Sequence, residues 1–503
     1  MAKICLCLTG KTLERDLQIL KKYRRYIDMA ELRVDCLTPD ERFFIRKFPE
    51  MAGLPSILTI RRDIDGGMFS EGEWSRISLL SRGLAFAEAD RRHNFAYIDL
   101  EEDVDIPGIE EAARTFGTRI IRSHHNTNGL DVDLAGKIRR MRRVGDEIVK
   151  VAVTPHSLEE VHAVMRAAKE TADIEKIPVC MGDFGLCSRI LADKFGSQIT
   201  FVSVKGEHGM PKAAPGQIDP VTLVDFYRFK TINDNTRIFG ITGYPLKTTF
   251  SPAFFNAVFN LEKTNAVYMA FPSVSALSFI RFAHDLGLSG ASVTIPHKEA
   301  IVSFLTEKSP TVRSVGACNT IVRNEDDTWK GFNTDMQGFS DSLLHFIGKK
   351  NFNGKKISVI GAGGVARAIA SEIFHLKGKA LVLNRTPLRA RDLAESFGFR
   401  WGGLDTAGVA LIDKYSDIII QTTSVGMEPD TSADPLDIYK FSGKEVVMDV
   451  IYKPAETALL RRASRAGCRT LNGYDMFIRQ AQSQYRLFMG KEFPADLMSR
   501  IEL

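Results

Sequence analysis

Through the first 230 residues, short runs of alternating apolar and polar residues are separated by longer stretches of helical period. Eight runs read as strands: 3–8, 29–36, 56–61, 95–101, 119–125, 147–154, 177–181 and 199–205. In the second, Leu32 and Val34 share one face, and Glu31, Arg33 and Asp35 the other. The third sets Leu58 and Ile60 against Thr59 and Arg61, and the fourth sets Ile98 and Leu100 against Asp99 and Glu101. The sixth sets Val149 and Val151 against Lys150 and Ala152. A period of two is that of a strand. Eight strands alternating with helices predict an α/β chain that opens with a (β/α)8 barrel, apolar face on the helices and polar face inward. Residues 219–230 read as its last helix and 231–236 as a short polar linker. A new strand begins at Arg237, and strand–helix alternation continues to about residue 338. A buried strand over 357–360, a turn at Gly361, Gly363 and Gly364, a helix over 365–376 and a strand over 379–383 then form a βαβ unit.

Composition narrows the class. A chain of 503 residues is too long for one core, so two or three domains are expected. The net charge of +5 is mild, and no basic run with interleaved aromatics suggests nucleic acid; a weakly positive protein suits small acidic substrates. Seven scattered cysteines without a Cys-x-x-Cys pair argue against a disulfide framework or structural zinc. Cys5 and Cys7 alternate along a strand as small core residues. No metal site is expected, because His124 and His125 point to opposite faces of one strand. No apolar run approaches membrane-spanning length, and Met1 leads straight into a strand. A cytoplasmic enzyme without a membrane partner is the expectation.

Three places carry chemistry. The glycine turn between strand and helix presents backbone N–H groups and a helix N-terminus to a pyrophosphate. At the end of the next strand stand Asn384-Arg385-Thr386, with Arg389 one turn later and no carboxylate to hold a ribose 2′-OH. Two guanidiniums suit a 2′-phosphate, so NADP is the expected cofactor. In the barrel, Lys150 sits between valines and His125 ends the preceding strand with inward parity. A desolvated lysine is a usable amine nucleophile; the alternative is a buried ion pair with Glu31 or Asp35. The third place lies in the middle region. Ser292-Val-Thr294-Ile-Pro-His-Lys298 ends a strand and puts Lys298 at the next helix start, against the helix dipole. Gly316-Ala-Cys-Asn319-Thr320 and Gly331-Phe-Asn333-Thr334-Asp335 follow. A lysine and an aspartate among amides and hydroxyls suit a dehydrogenase acting on a polyhydroxy acid.

The barrel residues resemble a known family. Glu31-Leu-Arg33-Val-Asp35, Thr59-Ile-Arg61, Ser123-His-His125, Lys150, Ser188-Arg189 and Ala214-Pro-Gly-Gln217 are similar to type I 3-dehydroquinate dehydratase over the whole segment. The resemblance implies a Schiff base at Lys150 and general acid/base work by His125. Arg189 and Gln217 would hold the substrate carboxylate and hydroxyls, with Glu31, Arg33 and Arg61 lining the pocket. Asp65 stands where the family often has a longer Glu to orient the histidine, and Ala213 where it often has Ser. The Gly- and Pro-rich stretch 204–216 is a candidate lid.

Residues 237–503 resemble shikimate dehydrogenase. The matching pieces are Gly243-Tyr-Pro245, Thr249-Phe-Ser251-Pro252, Val293-Thr294-Ile-Pro296 with Lys298, and Asn333-Thr334-Asp335. Gly361-Ala-Gly-Gly364, Asn384-Arg385-Thr386, Thr422-Thr-Ser-Val-Gly-Met427, Tyr452 and Asn472-Gly473 with Gln480 complete the set. Lys298 and Asp335 would be the catalytic pair. Thr249, Ser251, Thr294, Asn319, Tyr452 and Gln480 would bind substrate. NADP would lie on Gly361, Ala362, Gly363, Gly364 and Val365, on Asn384, Arg385, Thr386 and Arg389, and beside Thr423 and Gly473. The implied domains are a TIM barrel over 1–231, a substrate-binding domain over 237–338 completed by 475–503, and a Rossmann-like NADP-binding domain over 339–474. Where the family commonly has Ser-Lys-Ser-Pro, this chain has Thr249-Phe250-Ser251-Pro252. The whole chain thus resembles the bifunctional dehydratase/dehydrogenase family, with 3-dehydroquinate, 3-dehydroshikimate and shikimate as its small-molecule partners. The rival is a quinate/shikimate dehydrogenase whose barrel is a binding module or acts on a related ketone.

Overall fold

The computed structural model describes residues 1–85, 90–204, 213–246 and 249–501. The chain divides into two compact units. The first is built round eight parallel strands: β1 Lys3–Leu8, β2 Met29–Arg33, β3 Ser56–Thr59, β4 Tyr97–Glu101, β5 Arg119–Asn126, β6 Ile148–Val153, β7 Lys176–Cys180 and β8 Ile199–Val202. They follow the order β7-β6-β5-β4-β3-β2-β1-β8. At the remaining seam a parallel bridge joins Lys176 to Ser197, and the Gln198 N–H donates to the Lys176 carbonyl at 2.9 Å. This nearly closed parallel barrel is the one that the alternation predicts.

Three expectations are corrected. The second strand stops at Arg33, and Val34–Cys36 form a 3-10 turn. The cause is Asp35. Its carboxylate accepts from the Arg33 guanidinium at 2.9 and 2.7 Å and from the backbone N–H groups of Arg61 and Met68 at 3.2 and 3.1 Å. A short acidic side chain has thereby replaced the strand ladder. Residues 219–230 form no regular helix: Thr222–Phe226 is a π turn and Phe229–Thr231 a 3-10 turn. Arg228 lies between them at φ 53°, in the left-handed region that ends helices. The eighth strand ends at Val202 rather than Lys205; Lys205 and most of the candidate lid, 205–212, lie outside the described residues.

After Arg237 two sheets follow. The first joins β9 Arg237–Gly243, β10 Ala266–Pro272, β11 Leu288–Val293, β12 Glu307–Lys308, β13 Thr320–Arg323 and β14 Trp329–Phe332 in the order β10-β9-β11-β13-β14-β12. The second joins β15 Lys356–Ile360, β16 Lys379–Asn384, β17 Arg400–Gly403, β18 Ile418–Gln421, β19 Val446–Asp449 and β20 Arg469–Leu471. Its order, β17-β16-β15-β18-β19-β20, is all parallel and doubly wound, with the reversal between β15 and β18. Ile418 and Ile420 enter the core on one face of this sheet and Ile419 the core on the other. Such strands, covered on both sides, read as continuous apolar runs. The helix Tyr474–Met489 returns to the first of these two sheets, where the Phe488 ring lies 4.9 Å from that of Phe239.

Candidate active sites

The inward faces of the barrel strands converge on a cavity of about 260 Å³, bordered by all seven residues singled out in the barrel: Glu31, Arg33, Arg61, His125, Lys150, Arg189 and Gln217. Lys150 comes from mid-β6 and is buried. Its ammonium lies 2.9 Å from Asp99 Oδ2, 3.8 Å from Glu31 Oε1 and 4.6 Å from the centre of the Phe201 ring. Of the two partners expected for it, Glu31 is near, whereas Asp35 is taken by Arg33. Sequence reasoning missed the shorter contact, Asp99. Asp99 also accepts from Ser123 Oγ at 2.5 Å and lies 2.8 Å from Arg61 Nη2. Burial alone would raise its carboxyl, but the Arg61 and Lys150 cations hold it well below the usual range. Arg61 donates in turn to Glu101 at 2.6 Å.

His125 stands near the end of β5. Burial, reinforced by the Arg61 and Lys150 cations, pushes its imidazole well below the ordinary 6.5, so it is a neutral base at physiological pH. Its Nδ1 is buried and has no hydrogen-bond partner among the described residues. Asp65, which stands where the resembled family often has a longer Glu to orient the histidine, accepts from Arg62 Nε at 2.6 Å, so the shorter acid is held on its own turn. Arg189 Nη1 and Nη2 donate to the carbonyls of Phe201 and Pro215 at 3.4 and 3.3 Å, its Nε has no partner among the described residues, and burial lowers its pKa to about 10. A buried guanidinium with no carboxylate partner among the described residues, bordering a cavity, can receive an anion. Gln217 Nε2 donates to Cys7 Sγ at 3.4 Å, and its Oε1 has no partner among the described residues. Where Ser was expected, the Ala213 carbonyl accepts from Arg33 at 3.4 Å.

The second constellation surrounds Lys298 and Asp335, whose Nζ and Oδ2 lie 2.6 Å apart. The regular helix expected after Lys298 is a short 3-10 turn, Ala300–Phe304, so the aspartate and not a helix dipole governs the ammonium. Asn319 donates from Nδ2 to Asp335 Oδ1 at 2.8 Å and to Thr334 Oγ1 at 2.9 Å. Thr294 follows β11, so close to Gly243 that a Cβ there would sit 2.4 Å from its methyl. The Thr249 and Ser251 hydroxyls lie 3.2 Å apart. Phe250, which replaces a lysine of the resembled pattern, packs its ring 5.1 Å from that of Tyr452, and Tyr452 lies 5.2 Å from Phe477. Gln480 packs against Gly338, where a Cβ would come within 3.1 Å of it.

The nucleotide turn adjoins this cluster. A Cβ on Gly364 would stand 3.3 Å from that of Lys298, so the start of the helix Gly364–His375 lies against the candidate catalytic lysine. Gly361 has φ 116°, and a Cβ there would stand 2.4 Å from Thr422 Oγ1. Above Gly363 the space is open, and Ala362 and Val365 pack on the sheet core. Asn384 Nδ2 donates to the Thr386 carbonyl at 3.0 Å, which shapes the turn after β16. Arg385 and Arg389 are exposed, and neither forms an ion pair among the described residues. The Thr423 N–H donates to Gln421 Oε1 at 2.6 Å, and Gly473 approaches the Val450 carbonyl so closely that a Cβ would overlap it. An open glycine turn at a helix start, with two unclaimed guanidiniums and no acid at the strand end, fits NADP.

Comparison with known proteins follows the same division. Residues 4–234 match the family described as type I 3-dehydroquinase, 241–321 the shikimate dehydrogenase substrate binding domain, and 345–428 shikimate / quinate 5-dehydrogenase. The chloroplastic bifunctional 3-dehydroquinate dehydratase/shikimate dehydrogenase of Arabidopsis thaliana is 32% identical over 499 residues, covering 94% of this chain and 79% of that one. The chain belongs to the bifunctional 3-dehydroquinate dehydratase/shikimate dehydrogenase family. It is an enzyme with a lyase half and an NADP-dependent oxidoreductase half. A shikimate dehydrogenase (NADP(+)) of Shouchella clausii is 37% identical over 273 residues, covering 53% of this chain and 98% of that one. The solved shikimate 5-dehydrogenase of Thermus thermophilus, in complex with NADP(H) and shikimate, has 30% identity and a TM-score of 0.46; 53% of this chain and 98% of that one are covered. No helix among the described residues is long and apolar enough to cross a membrane.

Proposed function

We propose that residues 1–231 dehydrate 3-dehydroquinate through a Schiff base at Lys150, and that the remainder reduces the product, 3-dehydroshikimate, to shikimate. The observation that carries this reading is Lys150 itself, an amine inside a cavity with a neutral imidazole and, on its walls, a guanidinium that no carboxylate pairs among the described residues. Arg189 holds the substrate carboxylate, and Gln217 a hydroxyl. The Lys150 amine adds to the ketone, and water leaves as the iminium forms. That cation draws electrons from the neighbouring C–H bond. His125 takes the proton, then returns it to the departing hydroxyl, which leaves as water while the C=C bond forms. A second water hydrolyses the iminium and frees Lys150. Asp99, 2.9 Å from Nζ, supplies a counter-ion for the nitrogen cation.

In the other half, residues 237–338 with 475–503 bind the acid and 339–474 bind the nucleotide. Thr249, Ser251, Thr294, Asn319, Tyr452 and Gln480 hold its carboxylate and hydroxyls. NADPH supplies the hydride when bound; Gly361 to Val365 hold its pyrophosphate, Arg385 and Arg389 its 2′-phosphate, and Thr423 and Gly473 border the nicotinamide. Lys298, held by Asp335, gives its proton to the carbonyl oxygen as that oxygen becomes a hydroxyl. The cytoplasm is the proposed location. All seven cysteines are free thiols, the state that a reducing compartment maintains.

Borohydride added during dehydratase turnover tests the covalent step. Inactivation with a reduced adduct on the peptide containing Lys150 is expected. An adduct elsewhere, or dehydration surviving in Lys150→Ala, overturns it.

A further inference from the structure

We infer that Gln484 and Thr320 form a buried relay that fixes the amide of Asn319 and so holds Asp335 onto Lys298. Gln484 lies on the helix Tyr474–Met489, one turn beyond Gln480, and is 1% exposed. Its Oε1 accepts from Ser292 Oγ at 2.8 Å, which directs Nε2 the other way. Nε2 donates to Thr320 Oγ1 at 3.0 Å and to the Asn319 carbonyl at 3.4 Å. Because the Thr320 oxygen is already an acceptor there, its proton is free for Asn319 Oδ1, 2.8 Å away. The same Oδ1 accepts from the Thr334 N–H at 2.9 Å.

Two donors on its oxygen leave the Asn319 amide one orientation, with Nδ2 toward Asp335 Oδ1 at 2.8 Å. Turned over, the amide would set an NH2 against the Thr334 N–H and an oxygen against a carboxylate. Asp335, so oriented, presents Oδ2 to Lys298. Asn319, Thr320, Gln484 and Asp335 are each 1% exposed or less, so water has little access to replace a lost link. None of the first three would move a proton in the reaction. Gln484 and Thr320 are positioning residues, acting through Asn319.

The inference rests on Lys298 and Asp335 being the catalytic pair, and its test separates the two claims. Shikimate oxidation with NADP would be measured in the full chain carrying Thr320→Val, Thr320→Ser, Gln484→Met, the Val/Met double substitution, or Lys298→Ala. NADPH binding, titrated in each preparation, reports a folded dehydrogenase half, and dehydration of 3-dehydroquinate reports the barrel. Val keeps the shape of Thr and loses the hydroxyl; Ser keeps the hydroxyl and loses a methyl. Thr320→Val and Gln484→Met should each lower kcat about tenfold, the scale of one buried hydrogen bond, with little change in KM. Thr320→Ser should turn over nearly as the parent does, and the double substitution should be little worse than either single one. Serine as damaging as valine would mean that Thr320 acts through packing and would overturn the relay. So would normal kcat in Thr320→Val beside an inactive Lys298→Ala. Turnover surviving in Lys298→Ala would overturn the catalytic pair itself, and the relay with it.

Discussion

Replacing Asp99 by Asn should weaken the barrel and leave the dehydrogenase half untouched. The carboxylate is 2% exposed and faces two cations, Arg61 at 2.8 Å and Lys150 at 2.9 Å. Removing one member of a buried ion pair costs about 3–5 kcal/mol, because the charge left behind is uncompensated. Here the low end applies. Arg61 keeps Glu101 at 2.6 Å, Lys150 keeps Glu31 at 3.8 Å, and an Asn oxygen can still accept from Ser123. A loss of ~3 kcal/mol against a urea dependence of about 2 kcal/mol per molar lowers the midpoint by roughly 1.5 M. Urea-dependent hydrogen exchange on β4 and β6 peptides would read it, with β15 and β18 peptides as the reference in the same chain. Since the folded pKa of Asp99 is depressed, its contribution is present above the unfolded value near 3.9 and lost as pH falls below it. The difference between parent and variant should therefore be constant at neutral pH and close only in strong acid. A midpoint unchanged in the barrel, or moved equally in both halves, would refute the reasoning.

Two other outcomes follow from the sites. The depressed imidazole of His125 places the acid limb of dehydratase kcat/KM below pH 6.5, and His125→Ala should slow the reaction by about 10²–10⁴-fold. The unfolded chain takes up that proton as pH falls through 6.5 while the folded one resists it, so this group also costs the barrel stability in acid; a limb at or above 6.5 would exclude His125 as its source. Arg385→Ala or Arg389→Ala should weaken NADPH by roughly 10- to 100-fold, nearer 10 at physiological salt because both side chains are exposed. NADH should be almost unaffected, and equal losses for both nucleotides, measured by titration, would give the arginines a structural role.

Strand parity made much of this legible. It placed Glu31, Arg33, Lys150 and His125 toward the barrel interior, and those residues border one cavity. Parity also put Asp99 inward, yet it gave no distance. Which of several inward acids meets Lys150 depends on how neighbouring strands are staggered round the barrel, and no single strand carries that information. Asp35 shows the opposite failure: two charges at positions 33 and 35 look like one face of a strand, but they bond to each other and end it. Asp65 and Ala213 were visible as departures, while their consequences needed coordinates: a histidine nitrogen without a partner among the described residues, and a backbone carbonyl taking a guanidinium. At the second site Lys298 and Asp335 stood out by residue type. Gln484 did not, since a glutamine 165 positions from Asn319 has no sequence mark that ties it to the pair.

The central claim is that two lysine-centred sites on one chain perform consecutive reactions. The most direct measurement supplies 3-dehydroquinate and NADPH to the parent chain, to Lys150→Ala, to Lys298→Ala, and to the two variants mixed, and follows shikimate. The parent should form shikimate with equal consumption of NADPH. Lys150→Ala should form it only from 3-dehydroshikimate, Lys298→Ala should stop at 3-dehydroshikimate, and the mixture should recover the full conversion through the released intermediate. Shikimate formed from 3-dehydroquinate by either variant alone would contradict the account.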